Sequence, residues 1–276
     1  MSDDEQSPVT DGVPASDAAG PRHPLTLAVD IGGTGLKASV LSADGAMAAD
    51  RVKVPTTYPM PPEKLVSSLT KLAAPLPTTE RASVGFPGMV RDGLVLSAPH
   101  FSTKHGPGSA VDDDLFDQWS HFDLASALTT AFGIPTKVAN DADIQGAAVV
   151  TGTGLELAIT LGTGFGTGLF YDGALMPHLE IAHQPFRKGE TYNDQLGEAT
   201  RKDIGDERWN KRVRKAITNL RALMFFDHLY IGGGNSRRVT RDHLDDDVTI
   251  VDNSAGILGG IKLWEADHVG VNRPTP

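Results

Sequence analysis

A carboxylate that takes a proton, a second that holds a magnesium ion and glycine-rich turns that bind phosphate would together make a phosphoryl-transfer site. This sequence has candidates for each. Asp141 is the candidate general base. A hydroxyl attacks phosphorus poorly until its proton is accepted, and a carboxylate in a closed cleft can accept it. Asp30 opens the run Asp30-Ile31-Gly32-Gly33-Thr34, where it could hold magnesium directly or through the ion's water shell. Gly32, Gly33 and Thr34 would offer backbone N–H groups to donor phosphates, and so would Gly162, Thr163 and Gly164 in the second glycine turn. A third such turn, Gly232-Gly233-Gly234-Asn235, closes another apolar run. Lys37 follows the first turn, where strand alternation could also point it into solvent.

Each of these features also has a plain structural explanation. Asn140 and Asp141 belong to the residue types that cap helices. A single glycine cluster can be a tight turn and nothing more. Glu180 and His183 can be a surface pair or a buried, hydrogen-bonded histidine. A metal set of His178, Glu180 and His183 lacks a second ligand cluster. Two nucleotide signatures do not fit: no Gly-Lys-Ser/Thr ending marks a P-loop, and Thr167 occupies the last place of a dinucleotide fingerprint.

The elements that must position these groups alternate between strand and helix. Apolar runs ending in turn residues predict strands over 25–29, 37–41, 51–54 and 82–86, with Asp44-Gly45 as a hairpin turn and a helix over 62–74. Residues 99–118 read as an irregular loop. A helix from 123, a strand over 136–139 and a helix from Asn140 to about 150 follow. The second half repeats the plan, with strands at 156–161, 167–171, 228–231 and 248–251, a long amphipathic helix over 207–225 and a closing helix over 254–265. That is an α/β architecture with signs of duplication.

Composition narrows the function classes. At 276 residues and 39% hydrophobic content, the chain can bury one large core or two small ones. The absence of cysteine excludes disulfides, thiolate zinc sites and a cysteine nucleophile. A net charge of −10 argues against general binding to nucleic acid or anionic membrane. No apolar run approaches the roughly 20 residues needed to cross a bilayer. The acidic start is no secretory signal, so a cytoplasmic protein is expected. Charge is unevenly spread: residues 1–20 carry five acids and no base, whereas 201–221 carry eight bases against three acids. The first 24 residues have little to bury and are expected to be disordered. The basic stripe is most simply a solvated helix face.

In order along the chain, Asp30-Ile31-Gly32-Gly33-Thr34, Asn140-Asp141, Gly162-Thr163-Gly164-Phe165-Gly166, Glu180-Ile181-Ala182-His183 and Gly232-Gly233-Gly234 resemble the ROK family of sugar kinases and repressors. The resemblance spans about residues 25 to 265. The block from Val138 to Gly146 and the lack of cysteine are most similar to the polyphosphate glucokinase branch. This implies an actin/hexokinase-like (ribonuclease H-like) two-lobed fold with duplicated mixed sheets. The lobes would span 25–140 and 141–276, with the last helix packing back on the first lobe, a sugar in the cleft and commonly a homodimer. It also implies Asp141 as base, with Asn140, Glu180, His183 and Gly88 at the sugar. Asp30, with magnesium, and the first two glycine turns would hold donor phosphates, and Gly233 and Gly234 would hold an adenosine. Joined to the resemblance, Arg208, Lys211, Arg212, Arg214 and Lys215 read as a track for polyphosphate, because many cations gain from counterion release along a polyanion.

Two departures from the family pattern stand out. Family members typically carry a cysteine-rich zinc loop after the Glu-x-x-His pair, and residues 184–200 contain no cysteine, so no zinc is expected. Pro99-His100-Phe101 stands where the family often has Pro-Asn-Leu, with an apparent insertion before Trp119. The resemblance implies a magnesium-dependent glucokinase using polyphosphate, with ATP shared or second, on the 6-hydroxyl of glucose. The alternatives are an ATP-dependent hexose or amino-sugar kinase and a sugar-sensing protein without catalysis. The repressor branch's helix-turn-helix cannot come from 24 acidic residues.

Overall fold

β1 (Thr26–Ile31) is apolar on both faces and buried along nearly all its length, which fits the middle of a sheet covered on both sides. Around it the computed structural model, which describes residues 24–251 and 259–264, builds a five-stranded mixed sheet of order β3-β2-β1-β4-β8. β2 (Gly35–Leu41) and β3 (Val52–Pro55) run antiparallel on one side. β4 (Arg81–Phe86) and β8 (Thr136–Asn140) run parallel on the other. α1 (Pro62–Ala73) begins with proline in its first turn and buries Leu65, Leu69 and Leu72 against the sheet core. Between β4 and β8 come a small sheet of β5 (Met89–Arg91), β6 (Leu94–Ser97) and β7 (Phe122–Asp123), then α3 (Leu124–Phe132). α2 (Asp113–Trp119) lies between β6 and β7 in the chain.

The second sheet repeats the pattern as β11-β10-β9-β14-β15. β9 (Leu155–Leu161), β10 (Phe165–Tyr171) and β11 (Ala174–Leu175) are antiparallel neighbours, while β14 (His228–Gly232) and β15 (Val248–Ile250) run parallel to β9. The segment between β11 and β14 holds a short hairpin, β12 (Pro185–Arg187) with β13 (Glu190–Thr191), then α5 (Tyr192–Leu196), α6 (Glu198–Ile204) and α7 (Asp206–Met224). α7 turns Trp209, Val213, Ala216, Ile217 and Leu220 into the second core, near the helical spacing read from the sequence.

α4 (Asp141–Ala147) sits between the two sheets and touches β4 and β8 on one side and β9 and β10 on the other. Close approach explains its glycine neighbours. A Cβ at Gly146 would stand 2.6 Å from the Phe170 ring, and one at Gly168 would stand 3.2 Å from the Ala142 carbonyl oxygen. After it, α8 (Gly259–Lys262) returns to the first sheet. Ser83 Oγ donates to the Gly260 carbonyl, Lys137 Nζ donates to the Leu263 carbonyl at 2.6 Å, and the Trp264 indole donates to Ser83 Oγ at 2.9 Å.

The structure departs from the sequence reading in several places. Residues 99–118 are not wholly irregular: Asp112 caps α2 by accepting from the Leu115 amide at 3.0 Å, and Asp113 and Asp114 fill its first turn. The acidic cluster is therefore a helix start, favoured by the helix dipole. β5 to β7, the β12–β13 hairpin, α5 and α6 were not anticipated, because each is too short for periodicity to register. The helix after Asn140 ends at Ala147, ahead of the turn at 151–154. Residues 1–23 of the expected tail, and 254–258 and 265 of the expected closing helix, lie outside the described residues.

Candidate active site

Strand register sets the first half of the site. Asp30 and Lys37 face each other across the antiparallel β1–β2 pair, and their side chains meet at 2.8 Å. Lys37 thus neutralises Asp30 directly instead of pointing away. The turn between them is closed by the Gly32 amide donating to the Gly35 carbonyl. Thr56 Oγ1 donates to the Gly32 carbonyl and Tyr58 hydroxyl to the Gly33 carbonyl, each at 2.7 Å. With these carbonyls held from behind, Thr34 stands exposed at the tip. Gly33 has another close neighbour: a Cβ there would lie 2.7 Å from Nδ1 of His100 and 2.9 Å from Pro107. That imidazole nitrogen is buried and has no hydrogen-bond partner among the described residues, and burial lowers the His100 pKa, which keeps the ring neutral. His100 and Tyr58 are thus part of the first turn's surroundings. The sequence offered only the Pro-His-Phe departure as a signal for the first, and none for the second.

Asp141 starts α4. Asn140 caps the helix, its Oδ1 accepting from the Ala142 amide at 2.7 Å while its Nδ2 donates to the Gly88 carbonyl at 2.9 Å. The capping role expected of an asparagine here is real, and it fixes the direction of the adjoining aspartate. Gly85, opposite Asp30 on β4, leaves room for the approach: a Cβ there would touch the Asp141 Cα at 3.5 Å. Asp30 and Asp141 consequently line one small cavity of about 10 Å³ with Gly85, Ser83, Ile144 and Gly260, room for about one water. Burial and the charge of Asp30 push the Asp141 pKa up to about 7, with the Ala142 amide opposing. Two carboxylates facing one cavity repel, and a divalent cation would relieve that repulsion. The donor set therefore fits magnesium, with Asp30 as the protein's oxygen ligand and phosphate oxygens completing the shell. Among the described residues no group of three or more His, Asp or Glu forms a dedicated metal cage.

The second and third glycine turns come together. In the β9–β10 turn the Gly162 amide donates to the Gly164 carbonyl, and the Asn235 side chain donates to the Gly162 carbonyl, both at 3.0 Å. The Asn235 amide bonds the Leu161 carbonyl at 2.8 Å, and Gly233, at φ +84°, packs its Cα on Leu161. Asn193, unflagged by the sequence, accepts from the Phe165 amide at 3.0 Å, and the Glu198 amide donates to the Gly162 carbonyl. Gly162 and Gly234 have open space where a side chain would stand, and Thr163 is exposed.

Glu180 precedes a 3-10 turn, Ile181–His183. Glu180 is half-buried and His183 exposed. Behind Glu180 lies His178, which the sequence reading dismissed as a metal ligand and assigned no other part. Its Nδ1 is 3.0 Å from the carboxylate of Asp143, and its Nε2 is 3.6 Å from Glu180 Oε2. Burial opposes a charge on His178, yet the two carboxylates outweigh it and push its pKa up to about 10. Burial likewise opposes charge on Glu180, but the bond to and charge of His178 hold it below the usual carboxylate range. Glu190 and Glu198, weighed as further sugar contacts, are turned to other partners: Glu190 to the Gln195 amide, Glu198 to Lys202 at 3.0 Å.

The basic stripe divides. At about 100° per residue, Arg208, Lys211 and Lys215 lie opposite the buried face of α7, with Arg212 on one flank. Arg214 instead borders a separate groove with Arg221, His243 and Asp245. Lys211 pairs with Glu207 at 2.9 Å, and Arg212 lies 3.4 Å from the Gln195 carbonyl.

Two sheets of identical order, each with a glycine hairpin turned toward a shared helix, define an actin/hexokinase-like protein. The sequence agrees: residues 26–179 match the model of the ROK family, and the chain belongs to that family. It is 28% identical over 272 residues to a polyphosphate glucokinase of Mycobacterium leprae, covering 92% of this chain and 79% of the relative. An N-acetylmannosamine kinase of Escherichia coli is 34% identical over 158 residues, 55% of this chain and 49% of that one. Among solved structures, an inorganic polyphosphate/ATP-glucomannokinase from Arthrobacter sp. strain KM superposes with a TM-score of 0.71 at 26% identity, over 88% of this chain and all of the other.

Proposed function

We propose that the protein is a polyphosphate glucokinase, which moves a terminal phosphoryl group from inorganic polyphosphate, and also from ATP, to the 6-hydroxyl of glucose. The observation that carries the reading is the cavity shared by Asp30 and Asp141 beside the first glycine turn. Asp141 takes the proton of the attacking hydroxyl. Its pKa near 7 places it where a base is both unprotonated and strong enough to matter at neutral pH. Asn140, Glu180, His183 and the Gly88 strand end orient the sugar. The amides of Gly33, Thr34, Thr163 and Gly164 hold donor phosphates in turns that the Gly32 and Gly162 amides close from within, and Gly233 and Gly234 hold an adenosine when ATP is the donor. A magnesium ion at Asp30 supplies charge neutralisation for the phosphates. Lys37 stays with Asp30 and keeps that carboxylate aimed. Arg208, Lys211, Arg212, Arg214 and Lys215 remain the candidates for a polyphosphate track, and Arg214 stands apart from the other four.

One relative, 34% identical over 55% of this chain, is an N-acetylmannosamine kinase, so the acceptor must be tested as well as the donor. Purified protein is given magnesium with either glucose or N-acetylmannosamine, and either ATP or long-chain polyphosphate. Glucose 6-phosphate formed from polyphosphate is the expected result. Product from N-acetylmannosamine alone, or from ATP alone, would replace the proposal with an ATP-dependent sugar kinase.

A further inference from the structure

Asp143 and His178, which the catalytic reading leaves unused, form a line with the proposed sugar ligand Glu180. Asp143 is two residues after the proposed base, on α4, and its side chain and that of His178 are each 3% exposed. His178 Nδ1 faces the Asp143 carboxylate at 3.0 Å, and Nε2 faces Glu180, whose side chain is 29% exposed, at 3.6 Å. Nε2 has no hydrogen-bond partner among the described residues and no access to water. A buried imidazole N–H without a partner keeps the full cost of its lost hydration, so it should be completed in the working protein. Glu180 is the acceptor in reach, and closing a few tenths of an ångström would make the bond.

We propose that His178 is a positioning residue that fixes the Glu180 carboxylate for the sugar by tying it to Asp143 on the helix that bears Asp141. The tie gives the sugar-binding turn and the base-bearing helix one common support. This inference rests on the sugar-kinase reading and adds a residue to it.

The test compares glucose kinetics of the wild type, His178→Leu and His178→Gln, with glucose affinity measured by calorimetry without donor. Loss of one charge-assisted bond should raise the KM and Kd for glucose by about 10-fold or more in His178→Leu. kcat should stay within about 3-fold and the donor KM unchanged, because His178 touches neither the donor nor the base. His178→Gln retains a donor and should recover much of the affinity. An unchanged glucose KM in His178→Leu, or a Gln variant no better than Leu, overturns the proposal. If His178→Leu fails to fold, a cycle of His178→Asn, whose shorter amide cannot span both carboxylates, with Glu180→Gln decides: a double variant no weaker than Glu180→Gln supports the tie, and additive losses refute it. Wild-type protein that neither binds nor phosphorylates glucose would instead remove the function reading itself.

Discussion

The two central hairpins of this molecule share a plan and differ in one charged pair. β1–β2 and β9–β10 sit at the same place in sheets of the same order, each turning through glycines closed by an amide-to-carbonyl bond. Each is followed in the sheet by a parallel strand with a glycine in register, Gly85 beside Asp30 and Gly232 beside Thr160. Asp30 in the first hairpin thus corresponds to Thr160 in the second, and Lys37 to Gly166. The first hairpin has an ion pair and faces Asp141, while the second has one hydroxyl and backbone there. If both turns bind phosphate as proposed, the charged pair beside one of them would decide which can steady a metal and tune a base.

That contrast can be broken by substitution, and the largest effect is expected at the base. Asp141→Asn should lower kcat by about 10²–10⁴-fold while glucose still binds in calorimetry; a variant with wild-type turnover would end the assignment. The same change should stabilise the fold. A raised carboxylate pKa means the folded state holds its proton more tightly, so stability falls as pH rises from about 4 through about 7. At pH 8 the Asn variant should melt a few degrees above wild type, and the gap should narrow at pH 5. Next in size, Asp30→Asn should cost turnover and magnesium affinity together, whereas Thr160→Ala should leave the magnesium dependence unaltered. Equal metal responses in the two would dissolve the distinction between the hairpins.

Smaller effects follow. The wild-type kcat/KM should rise with pH to a plateau above about 7, and saturating magnesium should move the midpoint lower by offsetting the charge of Asp30. A midpoint indifferent to magnesium would separate Asp30 from the metal. Smallest is the track on α7: reversing Arg208 and Lys215 should raise the polyphosphate KM more than the ATP KM, with strong salt dependence, and Arg214→Glu should do less. Equal changes for both donors would leave the stripe a solvated helix face.

The sequence revealed the repeated frame and the glycine turns because long apolar strands and glycine clusters leave local signals. β1, β4, β9 and α7 could be read almost to their ends, since each buries a continuous face. The ion pair of Asp30 with Lys37 was hidden, because it depends on antiparallel register that no local pattern specifies. His178 and Asp143 are 35 residues apart and meet only because α4 lies against the second sheet. His100 reaches Gly33 across 67 positions by way of the β5–β6 hairpin, whose strands are three and four residues long.

Gly260 closes one wall of the chamber in which Asp30 and Asp141 confront each other. Its carbonyl is latched by Ser83, 177 residues earlier in the chain. A chain cut after β15 would already possess both acids and all three glycine turns, yet its chamber would gape to water at the back. Sealing the two carboxylates from solvent is therefore a task for α8, a helix that carries neither of them.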